Sequence, residues 1–203
     1  MGEWGQGSGL LAPFRFAARG VLQAAVSQRH MRVHLVAAVL VAAFGGAFAR
    51  GVAEQLALLA CVFLVPAAEV LNTAMEAAVD LAGGRPDERA RLAKDAAAGF
   101  VLVLAVGAAA VFALVVSRDW ALLRSRWREA LPALALGLSL TALSAGLAFP
   151  FPRPSWLDRL AAAGGAILLL ALGLSSRNPV FAGVAALAFA VCASAASARR
   201  AGA

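Results

Sequence analysis

Six apolar runs, each close to the length that crosses a lipid bilayer, dominate this chain of 203 residues. A bilayer core takes ~20 helical residues, within a range of about 17–25. The runs lie near Val33–Ala49, Leu56–Leu81, Leu92–Val116, Leu131–Phe149, Leu160–Ser175 and Val180–Ser197. The linkers hold the helix breakers: Gly83-Gly84-Arg85-Pro86, the proline-rich stretch Phe149–Pro154, and Asn178-Pro179. Lipid offers the backbone no hydrogen bonds, so a span must bond its own amides, and a helix does so. The expectation is an all-α integral membrane protein. Composition agrees: hydrophobic residues are 62% and charged residues 14%, against about 45–50% and about 25% for a globular chain. That much apolar surface excludes disorder. Two cysteines, Cys61 and Cys192, each inside an apolar run, exclude a disulfide scaffold.

The first ten residues carry Glu3 and no basic cluster, and no apolar core follows directly, so no secretory signal peptide is expected. From Pro13 the chain reads as an amphipathic helix lying on the membrane surface. Phe14, Ala17, Ala18, Val21, Leu22 and Ala25 follow the 3.6-residue period, with Arg15, Arg19 and Gln23 on another face. A face buried against a neighbouring helix is the competing reading. The formal net charge of +7 would suit nucleic acid. Here, however, the arginines sit at the ends of apolar runs, where they set topology and anchor headgroups, and no nucleic-acid partner is expected. With the N-terminus inside, twelve basic residues fall on inner segments and six on outer ones. Both termini are therefore expected in the cytoplasm.

The second span ends unusually. Glu69, Asn72, Thr73, Glu76 and Asp80 fall within about 100° of one helical face, and Leu71, Ala74, Met75 and Ala78 form the opposite face. Glu69 lies 13 residues after Leu56, about 20 Å along the axis, inside the bilayer. An ionised acid at mid-membrane costs about 2.5–3.5 kcal/mol on insertion scales. A helix end emerging into water, with Asn72 as interhelical glue, explains Asp80 but not Glu69. The third span opens with Lys94-Asp95, and Lys94 is the only lysine in the chain. Carboxylates that can hold Mg²⁺, a lysine for phosphate and a carboxylate base are the parts of a phosphoryl-transfer site.

At these residues the sequence resembles the small bacterial integral-membrane diacylglycerol and undecaprenol kinases. Their pattern E-x-hydrophobic-N-[ST]-[SA]-hydrophobic-E-x-x-V-D is matched throughout from Glu69 to Asp80, and Ala93-Lys94-Asp95 follows at the family's spacing. Phe14-Arg15-Phe16-Ala17 and Gly20-Val21 look like the start of its surface helix, and Arg32-Val33-His34 resembles the undecaprenol version. The resemblance covers about residues 13–118. It implies a surface helix and three spans, assembled as a homotrimer, that transfer the γ-phosphate of ATP to a lipid alcohol (undecaprenol or diacylglycerol) at the cytoplasmic interface. It makes Glu69 the general base and Asn72 a positioning group. It gives Glu76 a place on Mg²⁺ with ATP, and Lys94 and Asp95 contacts to the nucleotide phosphates and their metal. Phe16, Arg85, Pro86 and Asp87 would lie on the nucleotide side.

One departure bears on the metal. Gln28 stands where the family usually carries a second metal-binding glutamate, and a neutral amide is a weaker Mg²⁺ ligand. The reading set against the kinase is therefore a non-catalytic membrane protein, either a degenerate kinase or a helical scaffold or carrier. His30 and His34, four apart, lack a third ligand close in sequence and are expected to pack or meet headgroups. Residues 119–203 lie outside the resemblance. The stretch from Trp120 to Arg128 reads as an interfacial linker, and the last three spans as packing or lipid-contact elements without chemistry of their own.

Overall fold

The computed structural model describes residues 11–48, 51–83, 87–176 and 178–201. Among them the chain forms α1 (Ala12–Ser27), α2 (Arg29–Phe48), α3 (Val52–Ala82), α4 (Glu88–Ala148), α5 (Ser155–Ser175) and α6 (Pro179–Ala201). No strand occurs in the described residues. Six segments are long and apolar enough to cross a membrane: α2, α3, Glu88–Arg118 and Trp127–Ala148 within α4, α5 and α6. The protein is an all-α, multi-pass membrane protein. Pro13 sits in the first turn of α1, where its missing N–H would be unbonded in any residue.

α4 includes the stretch expected as an interfacial linker. It is helical through the stretch between its two spans, because no glycine or proline interrupts the chain from Ala108 to Leu131. Yet Phe112 packs edge-on against Phe44 of α2, ring centroids 5.1 Å apart, while Gly137 lies against Ala43. A straight helix would separate positions 112 and 137 by about 37 Å. α4 therefore turns back on itself between them. Pro132 falls in this stretch, and proline removes one helical hydrogen bond and crowds the preceding turn.

The polar contacts sort the helix ends into two groups. Glu54 meets Arg118 at 3.1 Å, and Gln55 accepts from Asn178 at 2.7 Å. These join the start of α3, the first span of α4 and the start of α6 at one membrane face. At the other, Lys94 meets Asp80, Arg199 donates to the Leu147 carbonyl, and Asp158 binds both Arg153 and Arg200 at 2.5 Å. The spans thus alternate in direction, as the distribution of arginines requires.

α2 is the axis of the packing. Its span is 56% buried, against 11% for Glu88–Arg118 and for α5. Lipid is as apolar as leucine, so burial does not drive these helices together. Close van der Waals approach does, and it needs small residues. α2 offers Gly45 to the ring of Phe181 and Gly46 to the Ser176 side chain and the Phe181 Cβ, and α5 offers Gly165 to the ring of Phe189. Both phenylalanines belong to α6 and are buried. The core is continuous from α2 into α6 through Val39, Ala42, Phe181, Ala185 and Ala188.

The notch at Gly165 generates a prediction. Any Cβ there enters the Phe189 ring, whereas Gly173 on the same helix faces open space. Gly165→Leu should destabilise the protein by roughly 1–3 kcal/mol, the usual cost of overpacking, and lower its melting temperature in detergent. Gly173→Leu should leave the melting curve in place.

Candidate active site

The site is built where α1 gives way to α2 and where α3 approaches the same membrane face. Gln28 breaks the first helix from the second with an extended backbone, φ −92° and ψ 123°. Arg32 locks this joint. Its Nε donates to the Ala25 carbonyl at 3.1 Å, and its Nη2 donates to the Val26 carbonyl. Cations suit the carbonyls at a helix C-terminus. The joint fixes the Gln28 side chain towards α3.

There Gln28 Nε2 donates to Glu76 Oε2 at 2.7 Å. Asn72, one turn before Glu76, donates from Nδ2 to Glu76 Oε1 at 3.1 Å. Both oxygens of Glu76 are therefore held by amides. A turn deeper, Glu69 is only 2% exposed and Asn72 7%. Glu69 Oε1 and Asn72 Oδ1 are buried and have no hydrogen-bond donor among the described residues. Such orphaned acceptors are rare in native interiors, because each carries a desolvation cost of about 1–3 kcal/mol. His30 and the first-turn amide of Met31 act electrostatically on Glu69 from α2, and Glu76 acts on it from α3. The rest of the face is as its period requires. Thr73 Oγ1 donates to the Glu69 carbonyl at 2.9 Å, and Leu71 and Met75 point outward, exposed.

Near the aqueous end, Lys94 Nζ meets Asp80 Oδ1 at 2.5 Å, with Asp80 well exposed. An ion pair this open to water contributes little, typically below about 1 kcal/mol, so the lysine is readily transferred to another anion. Asp95 follows on α4 and is exposed. Asp87 accepts from the backbone N–H of Arg89 at 3.0 Å and caps α4. Arg85 and Pro86 lie outside the described residues. Phe16 is exposed on α1, its ring 5.9 Å from the Arg19 guanidinium.

The structure thus gathers Gln28, Glu69, Asn72 and Glu76 in one cluster and puts Lys94 beside Asp80 on the same face of α3. Two partners escaped the sequence reading. Asp80 was visible in the stripe, but nothing in the sequence names it as the mate of Lys94. His30 was set aside as a headgroup or packing residue, although its place two residues after Gln28 carried the signal.

Among the described residues no three His, Cys, Asp or Glu side chains converge as a metal centre. Mg²⁺ shared with a nucleotide needs less: one or two carboxylates, with phosphate oxygens and water completing the octahedron. Glu76 supplies one carboxylate. Gln28 and Asn72 can each present an amide oxygen to the same point by rotating about the terminal bond, and Asn72 Oδ1 is already without a donor. This donor set fits a cation brought in with a substrate and does not fit a free-standing metal site.

No solved structure matches the chain. A diacylglycerol kinase of Synechocystis is 41% identical over 112 residues, covering 53% of this chain and 62% of that protein, so the chain spans less than two thirds of that relative. An undecaprenol kinase of Bacillus subtilis is 36% identical over 93 residues, covering 46% of this chain and 76% of that protein. The family model described as prokaryotic diacylglycerol kinase matches residues 15–116, a segment that holds every residue of the cluster from Gln28 to Asp95 and stops before the last three spans. With half its length matched, and the polar stripe and Lys94 inside that half, the chain belongs to the prokaryotic diacylglycerol kinase family.

Proposed function

We propose that the protein is a lipid kinase that uses MgATP to phosphorylate the hydroxyl of a membrane lipid alcohol at the cytoplasmic face of the bacterial inner membrane. The observation that carries this reading is the pairing of a buried carboxylate, Glu69, whose Oε1 has no donor among the described residues, with a second carboxylate held by amides about two turns nearer the water, Glu76. The first suits a hydroxyl that arrives from the lipid side. The second suits a cation that arrives from the aqueous side.

In this reading the lipid hydroxyl donates to Glu69 Oε1. Its oxygen forms a bond to the γ-phosphorus as the bond from that phosphorus to the β,γ-bridging oxygen breaks, and ADP leaves. Glu69 holds the hydroxyl proton and returns it to solvent. Asn72, buried between the two acids, positions the acceptor oxygen. Lys94 exchanges Asp80 for a phosphate oxygen, acting as a compact point charge, and Asp95 stands beside it towards the nucleotide. Phe16 on α1 and Asp87 at the start of α4 flank the nucleotide. Mg²⁺ bound through Glu76, with Gln28 and Asn72, would neutralise charge on the transferring phosphate. The working assembly is a homotrimer, and the sparsely covered first span of α4, with Leu102, Val103 and Val106 outward, offers a surface for neighbouring copies.

Radiolabelled ATP supplied to the purified protein in lipid-containing micelles, one lipid alcohol at a time, tests the reading. A chloroform-soluble labelled product supports it, and no labelled lipid from any polyprenol or diglyceride overturns it.

Two variants probe the roles assigned. Glu69→Gln removes the base from the chemical step while keeping shape, and should lower kcat by about 10²–10⁴-fold with ATP binding largely intact. Near-wild-type kcat would make Glu69 structural. Gln28→Glu places a hard anionic ligand beside Glu76 and should lower the Mg²⁺ concentration for half-maximal rate. Superimposable Mg²⁺ titrations would remove Gln28 from the metal's neighbourhood.

A further inference from the structure

The last three spans carry no part of the polar cluster, yet they gather arginine at the membrane face that holds it. Arg153 stands in the linker before α5, between Pro152 and Pro154. Arg199 and Arg200 stand in the last turn of α6. Asp158, in the first turn of α5, joins two of the three. Its Oδ1 accepts from Arg153 Nε and its Oδ2 from Arg200 Nε, both at 2.5 Å. Arg200 Nη2 also donates to the Arg153 carbonyl at 3.0 Å. Arg32 of α2, inside the family segment, acts electrostatically on Arg199, as do Arg153 and Asp158. Four guanidinium groups thus share one carboxylate.

Arginines that only set topology extend their charged heads into water. Arg199 does the opposite. Its Nη2 donates to the Leu147 carbonyl at 2.6 Å, at the end of α4. Its Nη1 is buried and has no acceptor among the described residues. A buried cationic N–H without an acceptor costs more than a neutral one, and neighbouring guanidinium groups add repulsion. Arg153 is drawn in as well, its side chain 18% exposed. Asp158 does not offset the excess, because its two oxygens already accept from Arg153 and Arg200 and it brings a single charge. The group that completes such a set is a compact anion with several acceptor oxygens, and the planar guanidinium fork matches phosphate.

The surroundings identify the source of that phosphate. The cluster lies where spans meet headgroups, and α5 is only 11% buried. Trp156, Leu157 and Leu160, on either side of Asp158 in sequence, are exposed. An acyl chain can lie along them while its phosphate meets the guanidinium groups, with Trp156 at headgroup level. Basic pockets between helices at the inner membrane face suit anionic headgroups in this way. We propose that Arg32, Arg153, Arg199 and Arg200 form a binding site for the phosphate of an anionic membrane lipid, at the seam between the family segment and the last three spans. Arg32 also holds the joint before Gln28, so a lipid bound here ties the tail to that joint. The site is independent of the phosphoryl-transfer reading.

The test uses the full chain in a neutral detergent and phosphate-free buffer, without nucleotide. Melting temperature and lipid retention in native mass spectrometry are followed with phosphatidylglycerol, phosphatidylcholine or inorganic phosphate, each at the same concentration. Phosphatidylglycerol should raise the melting temperature and stay bound. Phosphatidylcholine, whose phosphate is neutralised by its own choline, should do neither, and inorganic phosphate should leave the melting curve in place. Arg199→Gln and Arg200→Gln should each weaken phosphatidylglycerol binding about tenfold or more, as a charge-assisted hydrogen bond is lost. Arg89→Gln removes the same charge from an exposed position at the same face and should keep the full shift. If Arg199→Gln melts lower but keeps the lipid-induced rise, Arg199 only braces the tail and the site is overturned. An equal loss in Arg89→Gln overturns it in favour of diffuse surface charge. Equal retention of the two lipids by the wild type also overturns it, and that comparison needs no variant to fold. Inorganic phosphate that reproduces the shift and displaces phosphatidylglycerol keeps the phosphate chemistry and overturns the lipid source.

Discussion

A carboxylate buried at membrane depth is the constraint around which this molecule is arranged. Glu69 cannot lie against lipid without a cost of several kcal/mol, so the chain must surround it with protein. α3 meets the requirement by setting all its polar side chains on one face and its leucine and methionine on the other. α2 starts beside that face, bringing the open amides of its first turn and His30 to the carboxylate. The break at Gln28, held by Arg32 on the last carbonyls of α1, lets α2 start at this point. Without the break, α1 and α2 would be one rod, and the Gln28 amide would not reach Glu76.

α2 therefore does two jobs on two faces. One side, with α3 and the first span of α4, frames the polar cluster. The other side is packed by α6 through glycine notches. In lipid this division is physically necessary. The tail helices gain nothing by hiding leucines from a leucine-like solvent, so they bind where backbone can approach backbone. The Arg153–Asp158–Arg200 contacts add a polar lock at the membrane face that also holds Glu76 and Lys94. The last three spans thus brace α2 from behind and contribute none of the clustered polar residues.

Much of this was legible in the sequence, for a physical reason. Spans are set by length and hydropathy, both one-dimensional quantities, and the six expected runs coincide with helices to within a few residues. The stripe on α3 was legible because helical period alone puts Glu69, Asn72, Glu76 and Asp80 on one face. What joins one helix to another was not. The pairing of Lys94 with Asp80 depends on how deep two antiparallel helices sit against each other, and no local pattern records that depth. The reversal between the two spans of α4 was legible, because the charged stretch from Trp120 to Arg128 separates two apolar runs; that the connection stays helical was not, because no glycine or proline from Ala108 to Leu131 marks it either way.

Gln28 shows how the departure from the family fits this frame. A glutamate at that position would set a second carboxylate within hydrogen-bonding distance of Glu76, in a half-buried setting that already holds the Glu69 carboxyl group. Two such anions repel strongly unless a cation lies between them or one takes a proton. The amide removes that conflict: it donates to Glu76 Oε2 at 2.7 Å and, with Asn72 on Oε1, leaves both oxygens of Glu76 hydrogen-bonded. The same change takes one negative charge from the place where a magnesium ion would sit. In the proposed kinase the cluster would therefore depend on the nucleotide's own phosphates to hold a cation. Metal and ATP should then enter this site together, with the amides turning from donors to Glu76 into oxygen ligands as they do.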